Sequence, residues 1–211
     1  MKFLLLGASG GVGRRILAQG RERGYTIRAQ TRDAAKLVGQ PPGIKVVAAD
    51  PIDAVALRAL VAGQQAVVIS LGTAPGRRTT LFSDVTAKLV TAMAAEDVKR
   101  LVAITGVGAG ETRDHGGFFY GRIIYPLFTR TFYEDKDRQE RLIRESTLNW
   151  VLVRPALFKA TSGLTPFQAI TEIRPDTVLS RITRDEVASF VLDQLTDDLY
   201  LQTPVFIGHA S

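Results

Sequence analysis

The sequence predicts an α/β protein: a single domain in which helices cover both faces of a doubly wound parallel sheet. Three observations support this fold class. Short apolar segments typical of buried strands alternate along the whole chain with segments of helical spacing. The 211 residues, of which 45% are hydrophobic and 23% charged, suffice for one globular domain with a sizeable core. No internal repeat or linker divides the chain, so we expect one domain over residues 1–211.

The first element is a short apolar strand over residues 2–6. A glycine-rich turn with the sequence GASGGVG follows at residues 7–13, and helical spacing runs from residue 14 to near residue 24. A strand, a glycine-rich turn and a helix in this order are typical of the dinucleotide-binding βαβ unit of Rossmann-type domains. The alternative is a glycine-rich turn that binds no ligand.

The glycines of this turn fit the chemistry of a bound dinucleotide. Gly7 permits the tight turn out of the strand, Gly10 lets a pyrophosphate approach bare backbone, and Gly13 lets the helix pack close to the sheet. The free N–H groups and the positive end of the helix then face the phosphates. We therefore expect these residues to bind the cofactor: Gly7, Ser9, Gly10, Gly11, Val12, Gly13 and Arg14.

The remaining elements follow from the alternation of apolar runs and helical patterns. We expect further strands over residues 25–30, 44–48, 65–71, 99–105 and 150–153, and an edge strand over residues 204–207. We expect helices over residues 34–38, 54–61, 80–96, 133–145 and 184–195. Asp33 is the predicted N-cap of the helix over residues 34–38, and Asp53 that of the helix over residues 54–61. Residues 156–175 show neither pattern, and we expect a loop region there.

The composition excludes several classes of function. The absence of cysteine excludes disulfides and thiolate chemistry and predicts a reducing compartment, the cytoplasm. Two histidines, His115 and His209, argue against a metal site. No segment has the roughly 20 apolar residues that span a bilayer, and the first residues are read as a strand and not as a signal peptide. The net charge is +6, but the arginines are scattered without interleaved aromatic residues, so no nucleic-acid partner is expected.

The end of the second strand favours NADP over NAD. Thr31 stands where binders of the non-phosphorylated cofactor carry an acid, and Arg32 comes next. A guanidinium can bind a 2′-phosphate bidentately, and Arg14 or Arg15 is available for a second contact. The alternative is that Arg32 is solvated. Asp33 is expected to cap a helix and not to bind ribose.

Asp50 ends the third predicted strand, where its side chain can reach the adenine. It can equally cap the next turn, and the sequence leaves both roles open.

Several short motifs resemble the atypical short-chain dehydrogenases, in particular the biliverdin/flavin reductase-like and NmrA-like proteins. They are the glycine turn, Thr31-Arg32-Asp33, Asp50, Leu71-Gly72-Thr73, Arg144-Glu145-Ser146 and Val153-Arg154-Pro155. The resemblance covers nearly the whole chain apart from residues 111–130. It implies a Rossmann-type domain with NADP across the carboxyl edge of the sheet and a substrate against the nicotinamide.

The resemblance also implies roles for single residues. Arg32 would select the 2′-phosphate, Gly72 and Thr73 would lie along the cofactor, and Thr105 would lie near the nicotinamide ribose. Lys136 stands where many relatives have a ribose-binding lysine; the alternative is a solvated helix lysine. Thr105 and Lys136 are therefore the catalytic candidates. The loop beside the nicotinamide would be Arg154, Pro155, Ala156 and Leu157, unless Arg154 serves only a structural salt bridge.

Two departures from the family pattern argue against simple alcohol dehydrogenation. Phe132 occupies the position of the tyrosine in Tyr-x-x-x-Lys, and Gly106 occupies that of the usual serine. Phenylalanine cannot donate a proton, and Tyr133, one residue further, is expected to point about 100° away on the helix.

Hydride transfer to a planar acceptor needs mainly positioning, because a flavin, quinone or tetrapyrrole delocalises the charge itself. The sequence therefore predicts an NADPH-dependent reductase of such an acceptor. The alternative is a non-enzymatic NADP sensor. A sugar-nucleotide epimerase is disfavoured, because it normally needs Tyr-x-x-x-Lys and a larger substrate domain.

An aromatic insertion at about residues 111–130 interrupts the regular pattern. It can form a wall or lid over a planar ring, since lids usually come from long connections. A core-packing helix pair, a dimer surface and a membrane-touching patch are the alternatives, and both monomer and homodimer are compatible with the sequence. Its aromatic residues are Phe118, Phe119, Tyr120, Tyr125 and Phe128.

Overall fold

A central sheet of nine strands organises the computed structural model, which describes residues 1–40, 42–73, 79–106, 130–174 and 177–210. The strands are β1 (Lys2–Leu6), β2 (Thr26–Thr31), β3 (Ile44–Ala48), β4 (Ala66–Ile69), β5 (Arg100–Ile104), β6 (Asn149–Pro155), β7 (Gln168–Ile170), β8 (Leu179–Ser180) and β9 (Thr203–Ala210). The helices are α1 (Gly11–Glu22), α2 (Ala54–Val61), α3 (Leu81–Ala95), α4 (Arg130–Arg144) and α5 (Arg184–Asp193), and a 3₁₀ turn spans Ala34–Leu37.

The strand order is β3-β2-β1-β4-β5-β6-β9-β7, and β8 pairs with β9. Strands β1 to β6 and β9 are all parallel, whereas β7 and β8 run antiparallel to β9. The order reverses between β1 and β4, where such sheets place a crevice for ligands at the carboxyl ends of the strands. The predicted α/β fold with a doubly wound sheet is confirmed.

The last strand differs from its prediction. We expected an edge strand over residues 204–207, but β9 is longer and lies between β6 and β7 inside the sheet. Its Val205, Phe206 and Ile207 are almost completely buried. The three residues of β7, within the expected loop of residues 156–175, cover the side of β9 that the prediction left open.

Two apolar clusters fill the space between the sheet and the helices. Helices α1 and α5 pack on each other over one face, while α2, α3 and α4 cover the other face. Side chains of β1 alternate between the clusters: Phe3 and Leu5 belong to the first, and Leu4 and Leu6 to the second. Both faces are therefore covered, as a continuous apolar parallel sheet requires.

None of the helices in the described ranges is long and apolar enough to cross a membrane.

Candidate dinucleotide-binding site

A cavity of about 1220 Å³ lies at the carboxyl ends of β1, β4, β5 and β6. It is bounded by the start of α1, the segments after β4, β5 and β6, one side of α4 and the first residue of α5. The predicted site residues in its wall are Gly10, Gly11, Val12, Gly72, Thr73, Thr105, Lys136, Pro155, Ala156 and Leu157. The predicted residues outside its wall are Gly7, Ser9, Gly13, Arg14, Arg32 and Asp50.

The glycine turn is packed as the sequence predicts. Gly7 has a φ of +81°, and a Cβ there would lie 2.4 Å from the Ser70 carbonyl oxygen. A Cβ on Gly13 would lie 2.4 Å from the Gly7 carbonyl oxygen, so the contact between α1 and the turn requires glycine. Gly10 has an ordinary φ of −71° and is the N-cap of α1, which has no side-chain cap. The first N–H groups of α1 are thus available to an anion in the cavity.

Gln30 holds this turn in place and was missed in the sequence analysis. Its side chain is buried in β2, where its Oε1 accepts a hydrogen bond from the Gly7 N–H at 3.1 Å. Its Nε2 donates to the Ala49 carbonyl oxygen at 2.7 Å. One amide therefore joins the glycine turn to the segment after β3. The available signal was a polar side chain on a strand that is otherwise suited to burial.

At the end of β2, Thr31 and Asp33 have partners within the protein, whereas Arg32, the residue predicted to bind the 2′-phosphate, has none among the described residues. Thr31 is buried and its hydroxyl lies 3.2 Å from that of Ser9. The Asp33 carboxylate accepts from the Ala35 N–H at 3.0 Å, so Asp33 caps the 3₁₀ turn as predicted. Arg32 is exposed and forms no hydrogen bond or ion pair with the described part of the chain. Its guanidinium is available to a ligand.

Arg14 and Asp50 both have backbone partners. Arg14 donates to the carbonyl oxygens of Ser9 at 3.2 Å and Lys36 at 2.7 Å, and so ties the 3₁₀ turn to α1. The Asp50 carboxylate accepts from the Ile52 N–H at 3.1 Å, which is the capping role left open above.

Lys136 is buried in the wall of the cavity, so the alternative of a solvated lysine is wrong. Its Nζ donates to the Ile104 carbonyl oxygen at 3.1 Å and to Gln139 Oε1 at 3.0 Å. The same Nζ lies 3.7 Å from the centre of the Phe82 ring. Burial lowers the pKa of Lys136 to about 7, although the charges of nearby Glu140 and Asp135 act in the opposite direction.

Asp135, next to Lys136 in α4, contacts the start of α3. Its buried carboxylate accepts from the Phe82 N–H at 2.9 Å and from the Ser83 hydroxyl. Asp135 thus caps the N-terminus of α3 from α4, where a negative charge is stabilised by the helix dipole. The sequence predicts a charged helix here but not this contact, because the partners of Asp135 lie more than 50 residues away in the sequence.

Two threonines lack partners inside the cavity. The Oγ1 atoms of Thr73 and Thr105 are buried without a hydrogen bond to any described residue. A buried hydroxyl without a partner costs roughly 1–3 kcal/mol, which a bound ligand can offset. The next residue, Gly106, has a φ of +123°, so a serine would be strained there.

Phe132 and Tyr133 both line the cavity, and the expectation that Tyr133 points away from it is wrong. Their rings pack edge-to-face with centroids 5.4 Å apart, and Tyr133 is 9% exposed. Tyr133 is three residues from Lys136, which places the two on neighbouring positions of one helix face. The prediction considered only the spacing of four residues from the lysine.

Arg154 has the structural role that the sequence left open. It is fully buried, and its Nε donates to Glu140 Oε1 at 3.0 Å while its Nη2 donates to Oε2. The next residues, Pro155, Ala156 and Leu157, reach the cavity wall. The ion pair therefore joins β6 to α4 behind the site.

Part of the cavity wall is apolar, and Arg184 also lines it. Apolar side chains there include Leu157, Phe158, Ile173, Val178 and Leu179. Arg184, the first residue of α5, lines the cavity beside Gly11 and was missed because it looked like an ordinary helix start. The aromatic insertion, with Phe118, Phe119, Tyr120, Tyr125 and Phe128, lies outside the described residues.

The fold and the glycine turn define an NAD(P)-binding domain of the Rossmann type. The chain belongs to the NAD(P)H-binding family, whose model matches residues 7–198. An uncharacterised chloroplastic protein of Arabidopsis thaliana is 28% identical over 215 residues, covering 93% of this chain and 72% of that protein.

Solved structures extend the comparison of the fold. An oxidoreductase from Lactococcus lactis matches with a TM-score of 0.83 and 18% identity, over 100% of this chain and 91% of that one. A short-chain dehydrogenase/reductase from Veillonella parvula, in complex with NADP, matches with a TM-score of 0.81 and 16% identity, over 99% of this chain and 94% of that one. At these identities the comparison concerns the fold.

Proposed function

We propose that this protein is an oxidoreductase that transfers hydride from NADPH to a flavin or a similar planar acceptor, such as a quinone or a tetrapyrrole. The observation that carries the proposal is the lining of one cavity, which includes both the glycine turn and apolar side chains such as Leu157 and Phe158. A dinucleotide would lie over the turn with its nicotinamide toward Thr105 and Lys136. The acceptor would occupy the apolar part.

The choice of NADPH rests on Thr31, the last residue of β2, and on Arg32 after it. Thr31 supplies no carboxylate, and the exposed Arg32 has no competing partner in the described part of the chain. A bound 2′-phosphate would gain a charge-assisted hydrogen bond from this guanidinium. Thr73 and Thr105 supply hydroxyls that a ribose or an amide can satisfy.

The choice of a planar acceptor rests on the wall opposite the turn. Phe132 stands where a proton-donating tyrosine is usual, with Tyr133 in the wall one residue from that position, and the backbone at Gly106 disfavours a serine. An acceptor that delocalises the charge of a hydride needs neither residue, since water can supply the proton. The apolar side chains of Leu157 and Phe158 suit a flat ring system.

The same absences favour a second candidate, a non-enzymatic NADP sensor. A screen of NADPH oxidation across flavins, quinones, biliverdin-like compounds and aldehydes separates the two. Turnover of a planar acceptor with little aldehyde reduction supports the reductase. Tight NADPH binding without turnover of any acceptor supports the sensor. The cytoplasmic location, the single-domain organisation and the choice between monomer and homodimer stay predictions.

A further inference from the structure

Arg184 lies in the cavity wall between Gly11 of the glycine turn and the apolar Phe158. Its Nε is 2.9 Å from the place that a Cβ on Gly11 would occupy, so the guanidinium rests against the start of α1. Its Cζ lies 4.8 Å from the centre of the Phe158 ring, and its Nη1 donates to the Lys159 carbonyl oxygen at 3.4 Å. Contacts from two sides therefore hold a cation next to the glycine turn.

The charge of Arg184 is not balanced by the described part of the chain. No described carboxylate lies within 4.0 Å of it, although two acids follow it in α5. Asp185 pairs with Arg15 at 3.1 Å and accepts from the Gly163 N–H at 2.9 Å. Glu186 accepts hydrogen bonds from Thr165, Thr183 and His209. Because both carboxylates bind other residues and not Arg184, the Arg184 guanidinium adds a positive charge to the cavity.

The surroundings of this charge fit a diphosphate. The first N–H groups of α1 have no side-chain cap, and Arg184 lies beside Gly11 at that helix start. A phosphate placed there can accept from the helix N-terminus on one side and from a guanidinium on the other. Thr105, 7% exposed and with an unpartnered Oγ1, lines the same cavity and independently indicates a bound polar ligand.

We propose that Arg184 binds the diphosphate of the cofactor and so closes the phosphate site from α5. Because the diphosphate is common to NADPH and NADH, this contact should increase the affinity for both cofactors by the same factor. Arg32 differs, since it would read only the 2′-phosphate. The inference rests on the proposed function, because it requires a dinucleotide over the glycine turn.

The test compares cofactor affinities of the full chain with those of Arg184→Met, which keeps an apolar stem against Phe158 and removes the charge. We expect the dissociation constants of NADPH and NADH to rise by the same factor, roughly tenfold or more. Arg181→Met is the matched control, because Arg181 is exposed, lies three residues earlier and does not line the cavity. It should leave both constants unchanged.

Each contrary result has a distinct meaning. Wild-type protein that binds neither cofactor would refute the proposed function itself. Wild-type affinity of Arg184→Met for both cofactors would overturn the role of Arg184. The same holds if the variant loses only affinity for FMN and not for riboflavin, since the guanidinium would then bind the phosphate of an acceptor. Should the methionine variant fail to fold by circular dichroism, Arg184→Gln is measured with the same expectation and the same refuting outcome.

Discussion

Four arginines lie around the proposed cofactor site, and their partners distinguish structural from ligand-binding roles. Arg154 is buried in an ion pair with Glu140, and Arg14 donates to two backbone carbonyls. Both have partners that satisfy them without a ligand. Arg32 and Arg184 have no carboxylate partner among the described residues. At the scale of single residues, the proposed anion-binding roles therefore fall to these two.

Arg32→Ala should lower the affinity for NADP and leave that for NAD nearly unchanged. One lost charge-assisted contact to a phosphate is worth roughly 1.5–3 kcal/mol, which corresponds to about tenfold or more in affinity. The side chain is exposed and has no described partner, so the melting temperature should stay the same. Titration of both cofactors measures the effect. An equal loss for the two would show that Arg32 does not read the 2′-phosphate.

Tyr133→Phe should retain most of the NADPH-dependent flavin reduction. The variant keeps the ring that packs on Phe132 and removes only the hydroxyl group. After hydride transfer, the reduced flavin can take its proton from water. Steady-state turnover and NADPH affinity are measured together. General acid catalysis contributes on the order of 10²–10⁴-fold. A fall of that size in turnover with unchanged cofactor binding would identify Tyr133 as the proton donor. The protein would then be a reductase of carbonyl compounds.

At the scale of elements, the glycine turn separates residues needed for folding from residues needed for binding. Gly10→Val should abolish thermal stabilisation by NADPH at a smaller cost to the fold than Gly13→Val, because the φ of Gly10 suits any residue and its Cβ would meet the Gly7 carbonyl oxygen at a tight 3.3 Å. Gly13→Val should unfold the protein, since its Cβ would collide with the Gly7 carbonyl oxygen at 2.4 Å. Stabilisation of Gly10→Val at the wild-type level would place the cofactor elsewhere.

The Glu186 carboxylate is a joint, a single group that links α5 to the segment before β7 and to β9. Glu186 in α5 accepts from the Thr165 hydroxyl at 2.6 Å, the Thr183 N–H at 2.8 Å and His209 of β9 at 3.0 Å. Burial alone would raise the pKa of Glu186, but the hydrogen bonds from Thr165, Thr183 and His209 outweigh it and lower the pKa to about 2. The ionised form is therefore the one that holds the joint.

The stability provided by this joint should depend on pH. The pKa of Glu186 falls from an ordinary 4.5 to about 2 on folding, so its contribution is complete above about 4.5 and is lost as the pH falls towards 2. Glu186→Gln should lower the free energy of unfolding at pH 7 by about 1.5–3 kcal/mol, and the difference from wild type should shrink below pH 4.5. Urea titrations from pH 7 to 3 measure it. A constant difference across that range would contradict the assignment.

At the scale of the whole molecule, local patterns predict the elements but not their neighbours. The apolar run of β3 and the capped α2 were predicted with the observed bounds, because these depend on residues close in sequence. The place of β9 inside the sheet was not, since it depends on pairing with β6 some 50 residues away. Burial of α4 was missed for the same reason.

The candidate site follows the same division. The glycine turn has a fixed local spacing, so it was predicted from the sequence and its packing agrees with the roles assigned to Gly7 and Gly13. Gln30 and Arg184 contact distant segments, so the immediate sequence shows only that Gln30 is a polar residue on a strand suited to burial and gives no indication of Arg184. Lys136 was identified only through family resemblance, and its burial could not be read from a helix rich in charges.

The two apolar clusters have unequal positions along the chain, which matters while the protein is being synthesised. Every buried member of the cluster under α2, α3 and α4 lies at or before Leu152. The other cluster needs Val187 of α5 and Val205 of β9. At about 5–20 residues per second, the ribosome needs roughly 3–10 s to add that last part. During this interval one face of the sheet can already be covered, while α1 is the one described helix that is available to cover the other face.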